Sequence, residues 1–353
     1  MSSSSHTNGK SKSPFDPGFF GDGGFPDWKP STSATSHQLL PLKPVKDAIN
    51  ELDNRIKAGI NGNRQVLRTR WKNVNKALTG GYEFNTLNLI CGLSGHGKSY
   101  FNNLIRQDFL NVAINSYKKE ILIVNFLFET KTSKEMMRSL SGMTGIEFER
   151  LVGVEGHQRI SGTEYKNIKR YFHKFRDPNM LYIEQRGNRH QIVATIKAIK
   201  SKNPDKEVVV TIDHSLLVER QGESEVEGVA NLAKDLIEAR KEVTVFLLHQ
   251  LNDKILDMRR RDPAAGHLHF PNESDLFGSK QMFQAADSVT VVHQPSLLNM
   301  ATYGPDAIHT QDLFAIHILK NRDFRPAFTT LHNNLGKGTL DEPAPRPRPF
   351  PYT

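Results

Sequence analysis

Apolar residues in this chain are grouped in short runs, which are separated by longer stretches where apolar and polar residues mix. The main runs occupy residues 87–91, 120–128, 208–212, 243–248 and 288–292. Nearly continuous runs of this length are typical of strands buried on both faces of a parallel sheet. Between the runs, apolar residues recur every three or four positions, as at Ile192, Ile196 and Ile199, which predicts helices packed against that sheet.

This alternation predicts the α/β fold class, with a mostly parallel central sheet that is flanked by helices and joined by right-handed crossovers. Two later runs, residues 313–319 and 328–331, predict an antiparallel C-terminal edge. Parallel strands direct their carboxyl ends to one side of a sheet, where such folds bind ligands. Glu129, Asp213 and Gln250 each follow a strand-forming run, so we expect them to meet in one crevice.

Changes in composition divide the chain into four segments. Residues 1–40 are rich in Ser, Gly, Pro and Phe without a period, which predicts a disordered tail. Residues 41–67 contain one helical stripe of apolar residues from Val45 to Ile56, which predicts a linker helix that packs either on the chain's own core or, as a subunit-docking segment, on a neighbouring subunit. Residues 68–335 form the predicted α/β domain. Residues 336–353 carry a proline at every second position from 343 to 351, which predicts an extended Pro-rich tail.

The charge and the cysteine content narrow the functional classes. The 353-residue chain has a formal net charge of +9, which favours a polyanionic partner such as nucleic acid. Its single cysteine, Cys91, excludes an internal disulfide, and there is no Cys/His zinc pattern, so we expect a reducing, cytoplasmic compartment. No apolar run approaches the ~18 residues of a membrane-spanning helix, and no signal peptide is evident, so no membrane partner is expected.

One segment carries a specific chemical signal. Residues 92–99 fit the phosphate-binding pattern G-x-x-x-x-G-K-[ST], between a strand-forming run and a helix-forming stretch. In that context backbone N–H groups and the helix N-terminus bind phosphate, Lys98 reaches the β- and γ-phosphates, and Ser99 holds Mg²⁺. The expected nucleotide-binding residues are Gly92, Leu93, Ser94, Gly95, His96, Gly97, Lys98, Ser99, Tyr100 and Asp213.

Hydrolysis of ATP also needs groups that hold the metal and position water. Asp213 ends a buried strand and is the expected Walker B acid, holding Mg²⁺ partly through water. Glu129 is a candidate for polarising the attacking water, although spacing alone fits an exposed surface carboxylate equally well. Gln250 is a candidate sensor of the γ-phosphate. The long stretch after it, residues 252–287, includes Arg259, Arg260 and Arg261, which indicate either contact with a phosphate backbone or a solvated run of charge.

Taken in order, these blocks resemble the C-terminal motor domain of DnaB-type replicative helicases, which has a RecA-like ATPase core. Residues 126–129 (F-L-F-E) resemble that family's F-S-L-E, and residues 248–252 (L-H-Q-L-N) resemble its S-Q-L-N/S. Residues 274–287 resemble its S-D-L…A-D block, and residues 320–322 (K-N-R) resemble its K-x-R. The resemblance extends over roughly residues 68–335.

The resemblance implies a function for each block. Glu129 would be the catalytic base, and Gln250 would couple the nucleotide to DNA. Arg322 would be an arginine finger that acts in the adjacent subunit, with Lys320 as its companion. The protein would then be an ATP- and Mg²⁺-dependent ring, expected to be hexameric, that moves 5′ to 3′ along single-stranded DNA. A primase or a loader would be a further partner, and a short phage or plasmid helicase in a bacterial cell fits the layout.

The sequence also departs from that family. Only the predicted linker helix stands where cellular DnaB has a globular N-terminal domain. Phe277, Gly278 and Lys280 replace an Arg, a Glu and a Gly in the S-D-L block. We still expect Phe277, Gly278, Ser279 and Lys280 to contact DNA, through backbone N–H groups and one cation. Two alternatives share the ATPase residues: a recombinase or KaiC-like ATPase, and a nucleotide-gated DNA-binding loader that hardly turns over.

Overall fold

The computed structural model describes residues 42–278 and 280–343. The predicted N-terminal tail, the part of the predicted C-terminal tail from residue 344 onward, and Ser279 lie outside the described residues. The chain divides into two units, Met1–Arg64 and Gln65–Thr353. In the first unit the predicted amphipathic helix is present as α1 (Val45–Ile60). It buries none of its residues, and its apolar stripe is exposed to solvent in the isolated chain.

The second unit holds the remaining described helices and strands. The helices are α2 (Lys72–Ala77), α3 (Lys98–Leu110), α4 (Thr132–Thr144), α5 (Phe148–Val152), α6 (Gly162–Lys169), α7 (Arg189–Lys202), α8 (Glu225–Ala239) and α9 (Lys280–Ala285). The strands are β1 (Val66–Leu67), β2 (Tyr82–Glu83), β3 (Leu87–Gly92), β4 (Ile121–Leu127), β5 (Met180–Ile183), β6 (Glu207–Asp213), β7 (Thr244–Gln250), β8 (Ser288–His293), β9 (Thr302–Tyr303), β10 (Ile308–His309), β11 (Leu313–Asn321), β12 (Ala327–Asn334) and β13 (Thr339–Asp341).

Nine of these strands form one central sheet, in the order β13-β12-β11-β8-β3-β7-β6-β4-β5. The pairs from β8 across to β5 are all parallel. The strands β11, β12 and β13 continue the sheet beyond β8 and are antiparallel to their neighbours. The structure therefore confirms the predicted α/β sheet with an antiparallel C-terminal edge.

The central strands are buried because helices cover both faces of the sheet. Every residue of β3 and of β4 is buried. Leu87 and Leu89 of β3 pack in a cluster with α7, α8 and α9, whereas Ile90 packs in a second cluster with α3. Successive side chains of a strand point to opposite faces, so a strand covered on both sides needs apolar residues at consecutive positions. This explains the runs seen in the sequence.

Two segment boundaries differ from the sequence prediction. The segment from residue 336 was expected to be tail, but residues 339–341 form β13 and pair with β12. The indole Nε1 of Trp71 donates to the carbonyl of Leu340 over 2.7 Å and ties this strand to the domain. At the other boundary, β1 pairs with β2, so residues 66–67 belong with the second unit. Both strands are too short to give a periodic signal.

The stretch after β7 is more ordered than a long structureless loop. It contains 3-10 turns at Asp253–Leu256, Met258–Arg261, Pro263–Leu268 and Glu273–Asp275, and it ends in α9. Each turn begins after an Asn or Asp whose side chain accepts a backbone N–H, namely Asn252, Asp257, Asp262 and Asn272. Such caps satisfy the free donors at a helix start. We call residues 251–278 the post-β7 segment.

Candidate nucleotide site

The glycine-rich loop joins β3 to α3 at the carboxyl edge of the parallel sheet. Gly97 has φ +89°, and a Cβ there would lie 2.9 Å from the ring of Phe314, so a side chain is excluded by conformation and by space. Lys98 is the first residue of α3. Its Nζ donates to the carbonyls of Gly92 (3.0 Å) and Leu93 (2.9 Å), which holds the ammonium inside the loop. Burial lowers the pKa of Lys98, while Asp213 raises it.

His96 has a structural role within the same loop. Its side chain is buried, and its ring stacks on that of His293 at 5.0 Å between centroids. Its Nδ1 accepts the backbone N–H of Gln294 over 3.1 Å. Burial lowers the pKa of His96 to about 4, so the ring is neutral at pH 7. These contacts fix the loop against the end of β8.

Asp213 ends β6 beside the loop and is only 2% exposed. Burial, reinforced by Glu135 and Glu129, raises the pKa of Asp213 to about 6, and a hydrogen bond with Ser99 acts in the opposite direction. Its Oδ1 is buried and has no hydrogen-bond partner among the described residues. An unpartnered carboxylate oxygen beside a Ser hydroxyl fits the oxygen ligands that Mg²⁺ prefers.

No group of three or more His, Cys, Asp or Glu side chains within residues 42–278 and 280–343 is arranged to hold a metal by itself. Mg²⁺ that is bound with a nucleotide keeps several waters and takes phosphate oxygens, so it needs few protein ligands. Ser99 and Asp213 would therefore hold it. Bound there, Mg²⁺ would neutralise charge on the phosphates.

Glu129 and Gln250 lie in the same cleft as the loop. This cleft has a volume of about 670 Å³ and is lined by loop residues together with Glu129, Gln250 and His214. The Oε1 of Gln250 accepts from Lys98 Nζ over 3.4 Å and from His214 Nε2 over 3.2 Å. The carboxyl ends of β3, β4 and β7 thus bring Lys98, Glu129 and Gln250 into one cleft.

Two arginines that the sequence analysis did not single out also line this cleft. Arg138 lies on α4, and its guanidinium is 4.9 Å from the ring centroid of Tyr100. Arg186 follows β5, and its Nε donates to the carbonyl of Phe128 over 3.2 Å. The one available signal for Arg186 was its place just after a predicted strand, the position that also identified Glu129 and Asp213.

The post-β7 segment is hydrogen-bonded to the cleft through its last residues. The backbone N–H of Phe277 donates to the carbonyl of Gln250 over 3.0 Å. The carbonyl of Phe277 accepts from His249 Nε2 over 2.8 Å, and Ser215 Oγ donates to His249 Nδ1 over 2.8 Å. Burial lowers the pKa of His249 to about 4, so this imidazole is a neutral bridge. Gln250 and His249 are thus both hydrogen-bonded to the backbone of Phe277.

The three consecutive arginines have different environments. Arg260 forms a two-point ion pair with the fully buried Asp275, at 2.6 and 3.0 Å, and therefore holds the post-β7 segment together. Arg261 Nη2 donates to the carbonyl of Leu256 over 2.8 Å. Arg259 has a side chain that is 87% exposed and rests on Asp257. Of the three, Arg259 is thus the most accessible to an external phosphate.

The remaining residues expected to contact DNA lie at the end of the post-β7 segment and at the start of α9. Gly278 has φ +80°, and Lys280 is an exposed residue at the start of α9. Ser279, between them, lies outside the described residues.

Arg322 and Lys320 lie away from the cleft. Arg322 follows β11, and its Nε contacts Asp287 Oδ1 at 3.2 Å, with the side chain 47% exposed. It lines a small cavity with Asn88, near the amino end of β3, whereas the glycine-rich loop leaves the carboxyl end of that strand. Lys320 Nζ donates to the carbonyls of Phe283 (2.8 Å) and Gln284 (2.9 Å).

Comparison with known proteins identifies the family and the fold of this chain. The model of the DnaB-like helicase C terminal domain matches residues 67–332. Among solved structures, one described as an ATPase domain is similar with a TM-score of 0.71 and 17% identity, over 86% of this chain and 99% of that chain. A DnaB-like replicative helicase, described together with its interactions with primase, is similar with a TM-score of 0.69 and 18% identity, over 85% of this chain and 67% of that chain. A comparison with curated protein sequences gave no match.

Within residues 42–278 and 280–343, no helix is both long enough and apolar enough to cross a membrane bilayer.

Proposed function

This chain belongs to the family of the DnaB-like helicase C terminal domain, and from that premise we propose that it is an ATP-driven DNA helicase motor that works as a ring, expected to be hexameric. Each ring would move along single-stranded DNA, 5′ to 3′, and unwind duplex ahead of it. ATP would be hydrolysed at the interfaces between subunits.

The position of Arg322 supports hydrolysis at an interface. Its guanidinium lies near the amino end of β3, on the side of the sheet opposite to the chain's own nucleotide cleft. Nearly half of its side chain is exposed, and Asp287 holds it at 3.2 Å in an outward position. A finger that completes the charge clamp from a neighbouring chain raises turnover by orders of magnitude. We therefore assign Arg322 to the cleft of the next subunit, with Lys320 beside it.

Within one cleft, each side chain would have a separate role in ATP hydrolysis. Lys98 and the loop N–H groups bind the phosphates and neutralise their charge. Glu129, which is exposed at the rim of the cleft, orients and polarises the attacking water. Gln250 is within hydrogen-bond reach of Lys98 and therefore responds when the γ-phosphate leaves.

The proposed response then passes from the cleft to DNA. Gln250 and His249 both bond to the backbone of Phe277, so their displacement moves the end of the post-β7 segment. The N–H and the carbonyl of Phe277 already bond to Gln250 and His249, so the expected DNA contact by Phe277 is not made through these groups. The DNA contacts would be the backbone N–H groups of residues 278 and 279, Lys280 and the exposed Arg259. The apolar stripe of α1, which has no buried residue in its own unit, would dock on the adjacent subunit.

A subunit-mixing assay tests this proposal. Wild type should hydrolyse ATP faster with oligo-dT and should unwind a forked duplex. Arg322→Ala should bind ATP normally but lose about 10³-fold or more in kcat. Mixing Arg322→Ala with Lys98→Ala should restore hydrolysis, because the intact finger of the second variant completes the intact cleft of the first. Arg325→Ala, an exposed arginine three residues away, is the control.

Other outcomes would contradict parts of the proposal. Wild type that neither hydrolyses ATP nor unwinds DNA would reject the helicase. Normal turnover by Arg322→Ala would reject the finger. Helical filaments with strand exchange, seen by negative-stain microscopy with oligo-dT, would favour the recombinase alternative, and stable nucleotide-dependent assembly without turnover would favour the loader.

A further inference from the structure

Arg186 is an arginine in the nucleotide cleft for which the fold gives no structural reason. It is exposed, and it lines the same cleft as Lys98 and Glu129. Its Nε donates to the carbonyl of Phe128, the residue immediately before Glu129, over 3.2 Å. The guanidinium is therefore anchored next to the residue proposed to activate water.

The ion-pair partners of Arg186 differ from those of Arg189, three residues further on. Arg189 is engaged by the fold, since it contacts Asp235 at 2.7 Å and Glu223 at 3.5 Å. No carboxylate of the described residues lies within ion-pair distance of Arg186. A guanidinium has five N–H donors, and the bond to Phe128 uses one of them. The charge and the remaining donors are left for a ligand of the cleft.

The chemistry of the cleft indicates what that ligand is. Lys98 is held deep in the loop by two carbonyls and acts as a point charge. Arg138, the other arginine of the cleft, already stacks on Tyr100 and lies 3.8 Å from Glu135. A planar guanidinium binds two phosphate oxygens at once, with a strength that exceeds neutral hydrogen bonds. Glu129 is proposed to activate the water that attacks the terminal phosphate. A guanidinium next to Glu129 is therefore expected to contact that same γ-phosphate.

We propose that Arg186 binds the γ-phosphate of ATP in its own chain and is a second, internal arginine of the ATPase site, additional to the finger supplied by the neighbouring subunit. This assignment rests on the proposed function. The bond to the Phe128 carbonyl sets the position of the guanidinium relative to Glu129. Loss of the γ-phosphate would release Arg186 and leave the binding of ADP almost unchanged.

Nucleotide binding tests Arg186 without any need for turnover. With fluorescent AMP-PNP and fluorescent ADP as probes, Arg186→Ala should weaken AMP-PNP binding roughly 10- to 100-fold, the effect of losing hydrogen bonds to a charged group. ADP binding should stay within about twofold. Arg186→Lys should recover part of the AMP-PNP affinity, whereas Arg186→Gln, which can still bond to Phe128 but lacks charge, should not. Arg176→Ala, an exposed arginine outside the cleft, is the control.

Subunit mixing then distinguishes an internal arginine from one supplied in trans. Arg186→Ala should lower kcat by roughly 100-fold. Mixing it with Lys98→Ala should restore no hydrolysis, because each variant has a defect in its own cleft. This is the opposite of the result expected for Arg322→Ala, so the two roles are separable even though both are arginines.

Three results would overturn the assignment. Equal weakening of AMP-PNP and ADP would mean that Arg186 only supports the fold of the cleft. Unchanged AMP-PNP affinity in Arg186→Ala would reject contact with the γ-phosphate, and recovery on mixing with Lys98→Ala would reject action within one chain. If wild type fails to hydrolyse ATP, the proposed function fails, but the binding comparison still decides the role of Arg186.

Discussion

The buried ion pair between Arg106 and Glu135 should respond sharply to removal of either partner. Arg106 of α3 and Glu135 of α4 are 1% and 2% exposed and contact each other directly. Arg106 Nη1 also donates to Asn125 Oδ1 over 2.5 Å, and the same oxygen accepts from Thr211 Oγ1 over 2.8 Å. The second carboxylate oxygen of Glu135 has no hydrogen-bond partner among the described residues.

The expected magnitude follows from this burial. Arg106→Met leaves the buried carboxylate of Glu135 with Arg138, 3.8 Å away, in place of its direct partner, which should cost on the order of 3 kcal/mol in the free energy of unfolding. Glu135→Met leaves the guanidinium uncompensated and should cost a similar amount. Arg106→Met/Glu135→Met removes both charges and should lie within about 1–2 kcal/mol of wild type, because removing a buried pair together also removes its desolvation penalty.

The assay is urea unfolding at pH 7.5, followed by circular dichroism and evaluated as a double-mutant cycle. Lys241→Met is the control, since Lys241 pairs with Glu238 on the surface with both side chains 64% exposed, and it should change stability by less than about 0.5 kcal/mol. A single-variant loss below about 1 kcal/mol, or a double variant as unstable as the sum of the singles, would refute the reasoning.

Three other predictions follow from individual contacts. Burial raises the pKa of Asp213 to about 6, above its ordinary value, so the charged carboxylate lowers the stability of the folded protein. This loss of stability is absent below about pH 4 and complete above about pH 6. In urea unfolding, Asp213→Asn should therefore raise the free energy of unfolding at pH 7.5 by on the order of 1–3 kcal/mol, but not at pH 4. Gly142→Ala places a Cβ 2.6 Å from the carbonyl of Gly338 and should lose about 1–3 kcal/mol in urea unfolding, whereas Gly162→Ala, with no atom within 4 Å, should not. Burial raises the pKa of the Cys91 thiol to about 12, so iodoacetamide should label it at pH 8 only after unfolding, and labelling of the native protein would contradict this environment.

The strands and the phosphate-binding loop could be predicted because their signals are local. A strand covered on both faces must be apolar at consecutive positions, and β3, β4, β6, β7 and β8 all meet that condition. The short strands β1 and β13 carry no such pattern, because two or three residues cannot display a period. Their place is decided by partners distant in the sequence, as when Trp71 bonds to Leu340.

The roles of charged side chains depended more on the tertiary structure. Three consecutive arginines in the post-β7 segment look equivalent in the sequence, yet Arg260 is bound to the buried Asp275 while Arg259 remains exposed. Arg186 gave no motif signal, and only the pairing of β4 with β5 brings it beside Phe128. A charge run in a sequence therefore indicates a surface or an interior pair without distinguishing them.

The sequence by itself predicted a phosphate-binding loop, because the glycine-rich loop, its lysine and the flanking strand and helix are contiguous and their geometry follows from local backbone preferences. The tertiary structure alone decided which other charged groups surround that loop. Arg186 lies in the chain's own cleft, and Arg322 lies near the amino end of β3, away from it. The physical reason is that the order of strands in a sheet is set by packing between distant segments, and that order determines which strand ends, and which charges, share one edge.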